Sequence, residues 1–111
     1  MTFKDWLNKQ TVERCDRVKN GISLLTKNYL FEELELKDGL SLSVQASDSH
    51  MCSPRETIKN ESKYEEVEVY SHGAYVHELI NYASETMFVY GYVPVEVMEE
   101  LVENHGGIKE Y

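Results

Sequence analysis

The chain opens with apolar positions that recur every three or four residues. Phe3, Trp6 and Leu7 form one stripe, and Thr2 with Asp5 supplies side-chain oxygens for the free N–H groups of a helix start. A second helix is predicted from about Thr11 to Tyr29, because Cys15, Val18, Ile22, Leu25 and Tyr29 alternate spacings of three and four. The period then changes to two. Leu34 and Leu36 alternate with Glu33 and Glu35, and Leu40, Leu42, Val44 and Ala46 alternate with Ser41, Ser43, Gln45 and Ser47. Lys37-Asp38-Gly39 between these runs fits a three-residue hairpin loop with glycine in the left-handed position. That loop sets Leu36 against Leu40 and Leu34 against Leu42, so apolar meets apolar.

A third strand is predicted from Tyr64 to Ser71 and a fourth from Thr86 to Val93. In the fourth, alternation assigns Met87, Val89, Gly91 and Val93 to one face and Phe88, Tyr90 and Tyr92 to the other. Tyr75 to Ala83 reads as a short helix or an irregular segment. Pro94 suits the first position of a last helix, Val97, Met98, Leu101 and Val102 give that helix an apolar side, and Gly106-Gly107 stops it. The expected architecture is a single α+β domain over residues 1–111. Its N-terminal helices pack on a small, mainly antiparallel four-stranded sheet, and a C-terminal helix follows.

Such a sheet has two unlike faces. The aliphatic face, from Leu34 through Val44 and Val67 to Met87 and Val89, is the one the helices cover. The other carries serines, Gln45, glutamates and the rings of Tyr64, Tyr70, Phe88, Tyr90 and Tyr92. Rings left in water point to a contact surface, for a ligand or a second subunit; the competing reading is that ordinary strand propensity put tyrosine and phenylalanine there.

Composition narrows the function. A length of 111 residues allows one modest core. A net charge of −9 argues against binding nucleic-acid polymers, which need a basic footprint. Apolar runs fall well short of the ~20 residues of a membrane span, and no charged segment precedes an apolar one. The protein is therefore expected to be cytoplasmic, with Cys15 and Cys52 as free thiols.

Ser53-Pro54-Arg55-Glu56 reads as a helix N-terminus reaching to about Asn60. Ser53 caps, Pro54 takes the first position, and Glu56 completes a capping box. Free N–H groups at a helix start attract an anion, Arg55 adds a planar fork suited to phosphate, and His50 is close enough to donate as well. The competing reading is a capped structural turn whose arginine pairs with a surface glutamate. His50-Met51-Cys52 resembles half a metal site, but no second pair follows at ligand spacing, so neither a metal nor a cofactor is expected. Cys52 with a histidine lacks a nameable third group for nucleophilic catalysis, and no enzymatic activity is expected.

Two blocks carry a resemblance: Leu42 to Glu56, LSVQASDSHMCSPRE, and Val89 to Gly107, VYGYVPVEVMEELVENHGG. Together with YEEVEVYS (Tyr64 to Ser71), they resemble the first type of phage Thoeris anti-defence protein. The resemblance implies a non-enzymatic sponge, acting in the cytoplasm of the infected bacterial host. It would bind a cyclic ADP-ribose isomer made by TIR proteins and hold it intact, and some members also take cyclic oligonucleotides. It further implies a homo-oligomer, dimer or higher, with sites between subunits. Arg55 would meet phosphate, and Phe88 or Tyr90 would stack on adenine. Met51 stands where the family pattern suggests an aromatic. The expected ligand-binding set is His50, Ser53, Arg55, Tyr70, Phe88, Tyr90 and Tyr92. The alternative is an acidic protein-binding inhibitor, such as an anti-CRISPR protein covering a basic nucleic-acid channel. It would act through Glu65, Glu66, Glu68, Glu96, Glu99, Glu100 and Glu103.

Overall fold

The computed structural model describes residues 1–19, 30–58 and 63–110. It has the expected α+β architecture: α1 (Phe3–Lys19), β1 (Leu34–Glu35), β2 (Ser41–Gln45), β3 (Glu66–Tyr70), a 3-10 helix (His77–Tyr82), β4 (Val89–Pro94) and α2 (Val95–Asn104). The four strands form one antiparallel sheet in the order β1-β2-β3-β4.

Helix α1 starts where the sequence placed it. Asp5 N donates to Thr2 Oγ1 at 3.1 Å, and Thr2 N donates back to Asp5 Oδ2 at 3.2 Å. The backbone bond from Thr2 N, and after it the Thr2 hydroxyl, hold the Asp5 carboxyl below its ordinary value. The expected break before Thr11 is absent, and one helix runs through to Lys19. The buried stripe is Phe3, Trp6, Leu7, Gln10, Thr11 and Arg14, a helical spacing whose second half is polar. The stretch of the second predicted helix that holds Ile22, Leu25 and Tyr29 lies outside the described residues.

Each polar residue of that stripe finds hydrogen-bond partners, although the buried Arg14 Nε makes no hydrogen bond among the described residues. Thr11 Oγ1 donates to Leu7 O, and Gln10 Oε1 accepts from Glu32 N. Arg14 is 1% exposed. It donates to Ala46 O at 2.5 Å and to the Tyr64 hydroxyl at 2.9 Å, with its guanidinium 4.5 Å from the centre of the Phe31 ring. The Tyr64 hydroxyl in turn donates to Glu56 O and accepts from Ile58 N. Tyr64 therefore lies inside the fold and not on the open sheet face.

The first hairpin has the expected register, Leu34 opposite Leu42, with Leu36 N bonded to Leu40 O and Gly39 at φ +99. Both sheet edges are covered. Ile108 bridges to Leu36 and Lys109 N donates to Glu35 O on the β1 side, while Ala83 bridges to Tyr90 on the β4 side.

β4 departs from simple alternation. Val67 faces Val93 and Val69 faces Tyr90, so Gly91 and Tyr92 together oppose the single residue Glu68. This bulge shifts the parity of the strand by one. Tyr90 turns inward, 9% exposed, and Tyr92 stays outside with φ +52. Met87, assigned to the aliphatic face, is 76% exposed, and Val89 is half-buried.

Pro94 is the extended residue just ahead of α2 and not its first helical one, and Gly106 and Gly107 close the helix at positive φ. Val95, Met98, Leu101 and Val102 are buried, with Val97 packed against the same core. α2 also caps α1, because the Glu99 carboxylate accepts Phe3 N at 3.2 Å and Lys4 N at 2.7 Å.

Candidate functional site

No helix begins at Ser53-Pro54-Arg55-Glu56. The Ser53-Pro54 peptide is cis, and residues 54–58 are irregular. The reason is β3. Ser53 N donates to Glu66 O, and Ser53 O accepts from Glu65 N at 2.7 Å and from Glu66 N. Those bonds hold Ser53 extended, and the predicted capping box does not form. Arg55 is exposed, on a loop that continues the β2 side of the sheet.

The segment ahead of it crosses β3. Met51 N donates to Glu68 Oε1 at 3.2 Å, and Met51 O accepts from Tyr92 N at 2.9 Å. Ser47, itself buried, organises the crossing. Its hydroxyl meets His50 Nδ1 at 2.5 Å and accepts from Ser49 N, and its carbonyl accepts the Cys52 thiol. Burial holds the half-buried His50 below its ordinary value. Arg14 and Arg55 push the same way, against the pull of Glu68 and Asp48. Burial also raises the Cys52 thiol above its ordinary value. Met51 itself lies over Gly91, where a β-carbon would come within 2.9 Å of its sulfur. The two blocks LSVQASDSHMCSPRE and VYGYVPVEVMEELVENHGG thus meet at Met51, Gly91 and Tyr92.

The seven expected ligand-binding residues divide into three groups. His50, Ser53, Arg55 and Tyr92 belong to the stretch of β3 from Glu66 to Glu68: Ser53 pairs with Glu66, two residues before Arg55, and Tyr92 opposes Glu68 and is bonded to Met51, next to His50. Tyr70 lies at the other end, opposite Ser43. Phe88, at φ +64, is there too, its carbonyl accepting Ser71 N. Four residues of extended strand separate the ends, about 13 Å at ~3.3 Å per residue. Tyr90 belongs to neither group, because it is part of the core.

The Tyr70 end holds a groove of about 490 Å³. This lies within the range of ~300–1,000 Å³ typical of small-molecule sites. Its walls include Arg17, Glu33, Ser43, Gln45, Tyr70 and His72. Gln45 shapes it. The Gln45 amide accepts Phe31 N at 2.8 Å and donates to Phe31 O and to Ser43 Oγ, tying the chain before β1 to the sheet. Tyr70 is exposed, with the His72 ring edge-on at 4.7 Å. His72, at φ +55, also bonds the Glu33 carboxylate. Arg17 Nη2 donates to Leu30 O at 3.0 Å. The groove is therefore lined by an exposed ring, a guanidinium and the carboxylates of Glu32 and Glu33.

Sequence reasoning put Tyr70 on one face with Gln45, the strand serines and glutamates, and gave no sign of Arg17 or His72. Hairpin register brings Ser43 to Tyr70 and was readable in principle. Arg17 comes from a helix 53 positions before Tyr70 in the chain, and nothing local to it marks the groove. Compared with protein-family models, curated proteins and solved structures, the chain matches none.

Proposed function

We propose that this protein is a phage anti-defence sponge that binds a TIR-made cyclic ADP-ribose signal and holds it without degrading it, in the cytoplasm of the infected host. The observation that carries the reading is the exposed Tyr70 ring in a groove of nucleotide size beside Arg17. A base stacked on an aromatic plate gains ~1–3 kcal/mol in single-strand systems. A guanidinium is the matching group for phosphate, and carboxylate acceptors suit the amino group of a purine.

Relative to the expectation from sequence, the stacking role passes from Phe88 or Tyr90 to Tyr70, and the phosphate role within one chain passes from Arg55 to Arg17. The same reading entails a homo-oligomer, in which Arg55 and Tyr92, which do not line the Tyr70 groove, would meet a ligand held between copies.

The test is retention. Purified protein is mixed with TIR-generated signal, washed free of unbound nucleotide, heated, and the released material identified by mass spectrometry. The parent is expected to return the intact molecule, and Tyr70→Ala and Arg17→Gln to return little. A chemically altered product, or full retention by both variants, would overturn the proposal.

A further inference from the structure

The charge of this chain is unevenly spread. From Tyr64 to Ile108 there are nine glutamates and no aspartate, lysine or arginine, while the other residues hold eleven acidic and eleven basic side chains. The whole net charge of −9 therefore resides in the stretch that forms β3, β4, α2 and the connection between the two strands.

That connection, residues 72–87, is a loop whose ends meet, closed by Ser71 N donating to Phe88 O at 3.0 Å. His72 and Phe88 flank this closure in left-handed backbone conformations, which cost a residue with a β-carbon ~1–2 kcal/mol. Val76 and Leu79 anchor the loop from inside. On its outside it leaves large apolar side chains in water: Tyr75 at 75% exposure, Ile80 at 47% and Met87. Compact loops of this kind, packed by their own side chains, are frequently functional.

The loop is fixed to the end of α2. Glu78 accepts from Asn104 Nδ2 at 3.3 Å and meets His105 Nε2 at 3.2 Å. The outward face of α2 carries Glu96, Glu100 and Glu103, all exposed, and the helix holds no basic residue. Like charges at this spacing repel one another by ~0.2–0.5 kcal/mol per pair. Glu100 and Glu103 also lie toward the negative end of the helix dipole. Both costs are relieved by cations brought from outside the chain.

We propose that the apolar side chains this loop leaves in water, Tyr75, Ile80 and Met87, together with the glutamates of the helix to which it is fixed, dock a basic amphipathic protein segment, one with apolar anchors flanked by lysine or arginine. Charge selects the occupant. A nucleic acid or an anionic bilayer is repelled, and so is the same face of a second copy. This surface is distinct from the Tyr70 groove, and the inference stands whether or not that groove holds a nucleotide.

The test uses the full chain and three synthetic helical peptides: leucine–lysine, leucine–glutamate and lysine–glutamine. Binding is read by fluorescence anisotropy. The leucine–lysine peptide is expected to bind more tightly than either other peptide, by about tenfold or more. Raising salt from about 50 to about 500 mM should weaken it. Tyr75→Ser with Met87→Ser should lose about tenfold. Glu100→Gln with Glu103→Gln should flatten the salt dependence. The proposal is overturned if the lysine–glutamine or leucine–glutamate peptide binds as well, or if the Tyr75/Met87 variant binds like the parent. It is equally overturned if phosphatidylglycerol vesicles bind this face, or if sedimentation shows a dimer that Ile80→Glu dissolves.

Discussion

The carboxylate of Glu99 accepts the backbone N–H of Lys4 at 2.7 Å, so α2 closes the first turn of α1 across a separation of 95 residues. Phe3 N reaches the same carboxylate. One glutamate thereby joins the two ends of the chain. It is also withdrawn from the acidic surface to which its neighbours Glu96, Glu100 and Glu103 belong.

Removing that acceptor strands two N–H groups at a helix start. Glu99→Ala is expected to destabilise the protein by ~1–2 kcal/mol, and Glu99→Gln by less, since an amide oxygen still accepts one bond. Urea denaturation of the three proteins checks this. Equal midpoints would show that the cap contributes nothing.

Gly91 lies under Met51, with space for no β-carbon: one would stand 2.9 Å from the Met51 sulfur and 3.1 Å from its Cβ. Gly91→Ala is expected to cost ~1–3 kcal/mol. Met51→Ala in the same chain should recover part of that loss, giving a favourable coupling in a double-mutant cycle. Additive effects would mean that the two residues do not touch.

The bulge in β4 assigns two tyrosines to opposite fates. Tyr90→Ala opens a cavity in the core and is expected to cost ~3–5 kcal/mol. Tyr70→Ala removes an exposed ring and should change stability by no more than ~0.5 kcal/mol. Thermal unfolding of both variants decides the matter. Comparable losses would contradict the face assignment.

Burial holds His50 below the ordinary histidine value of 6.5, with Arg14 and Arg55 acting in the same sense and Glu68 and Asp48 against it. The fold therefore favours the neutral ring. Stability from this source is fully present above the unfolded value and is lost as pH falls through it toward the folded one. The urea midpoint should drop between about pH 7.5 and about pH 5.5, and His50→Gln should shrink that drop. An unchanged slope in the variant would remove His50 as its cause.

Legibility from sequence followed the regularity of each element. The first hairpin and α2 were readable because their apolar periods are unbroken and their glycines stand where the backbone turns left-handed. The length of α1 was not, because its buried stripe passes from Phe3, Trp6 and Leu7 to Gln10, Thr11 and Arg14. Those polar side chains are buried only because Leu7 O, Glu32 N, Ala46 O and Tyr64 meet them. Alternation failed in β4 for a similar reason: one extra residue opposite Glu68 inverts everything before it. At Ser53 local chemistry favoured a helix cap, and pairing with Glu66 from a distant strand prevailed. The groove joins Arg17, Ser43 and Tyr70, and only the folded chain brings those three together.

On our proposal the Tyr70 groove holds a cyclic ADP-ribose, and calorimetric titration of that nucleotide into the parent and into Tyr70→Ala puts this to the test. Saturable binding is expected for the parent, with an affinity about ten- to a hundredfold weaker in the variant, the equivalent of losing one stacked base. No heat of binding with the parent, or the same affinity in both proteins, would contradict that proposal.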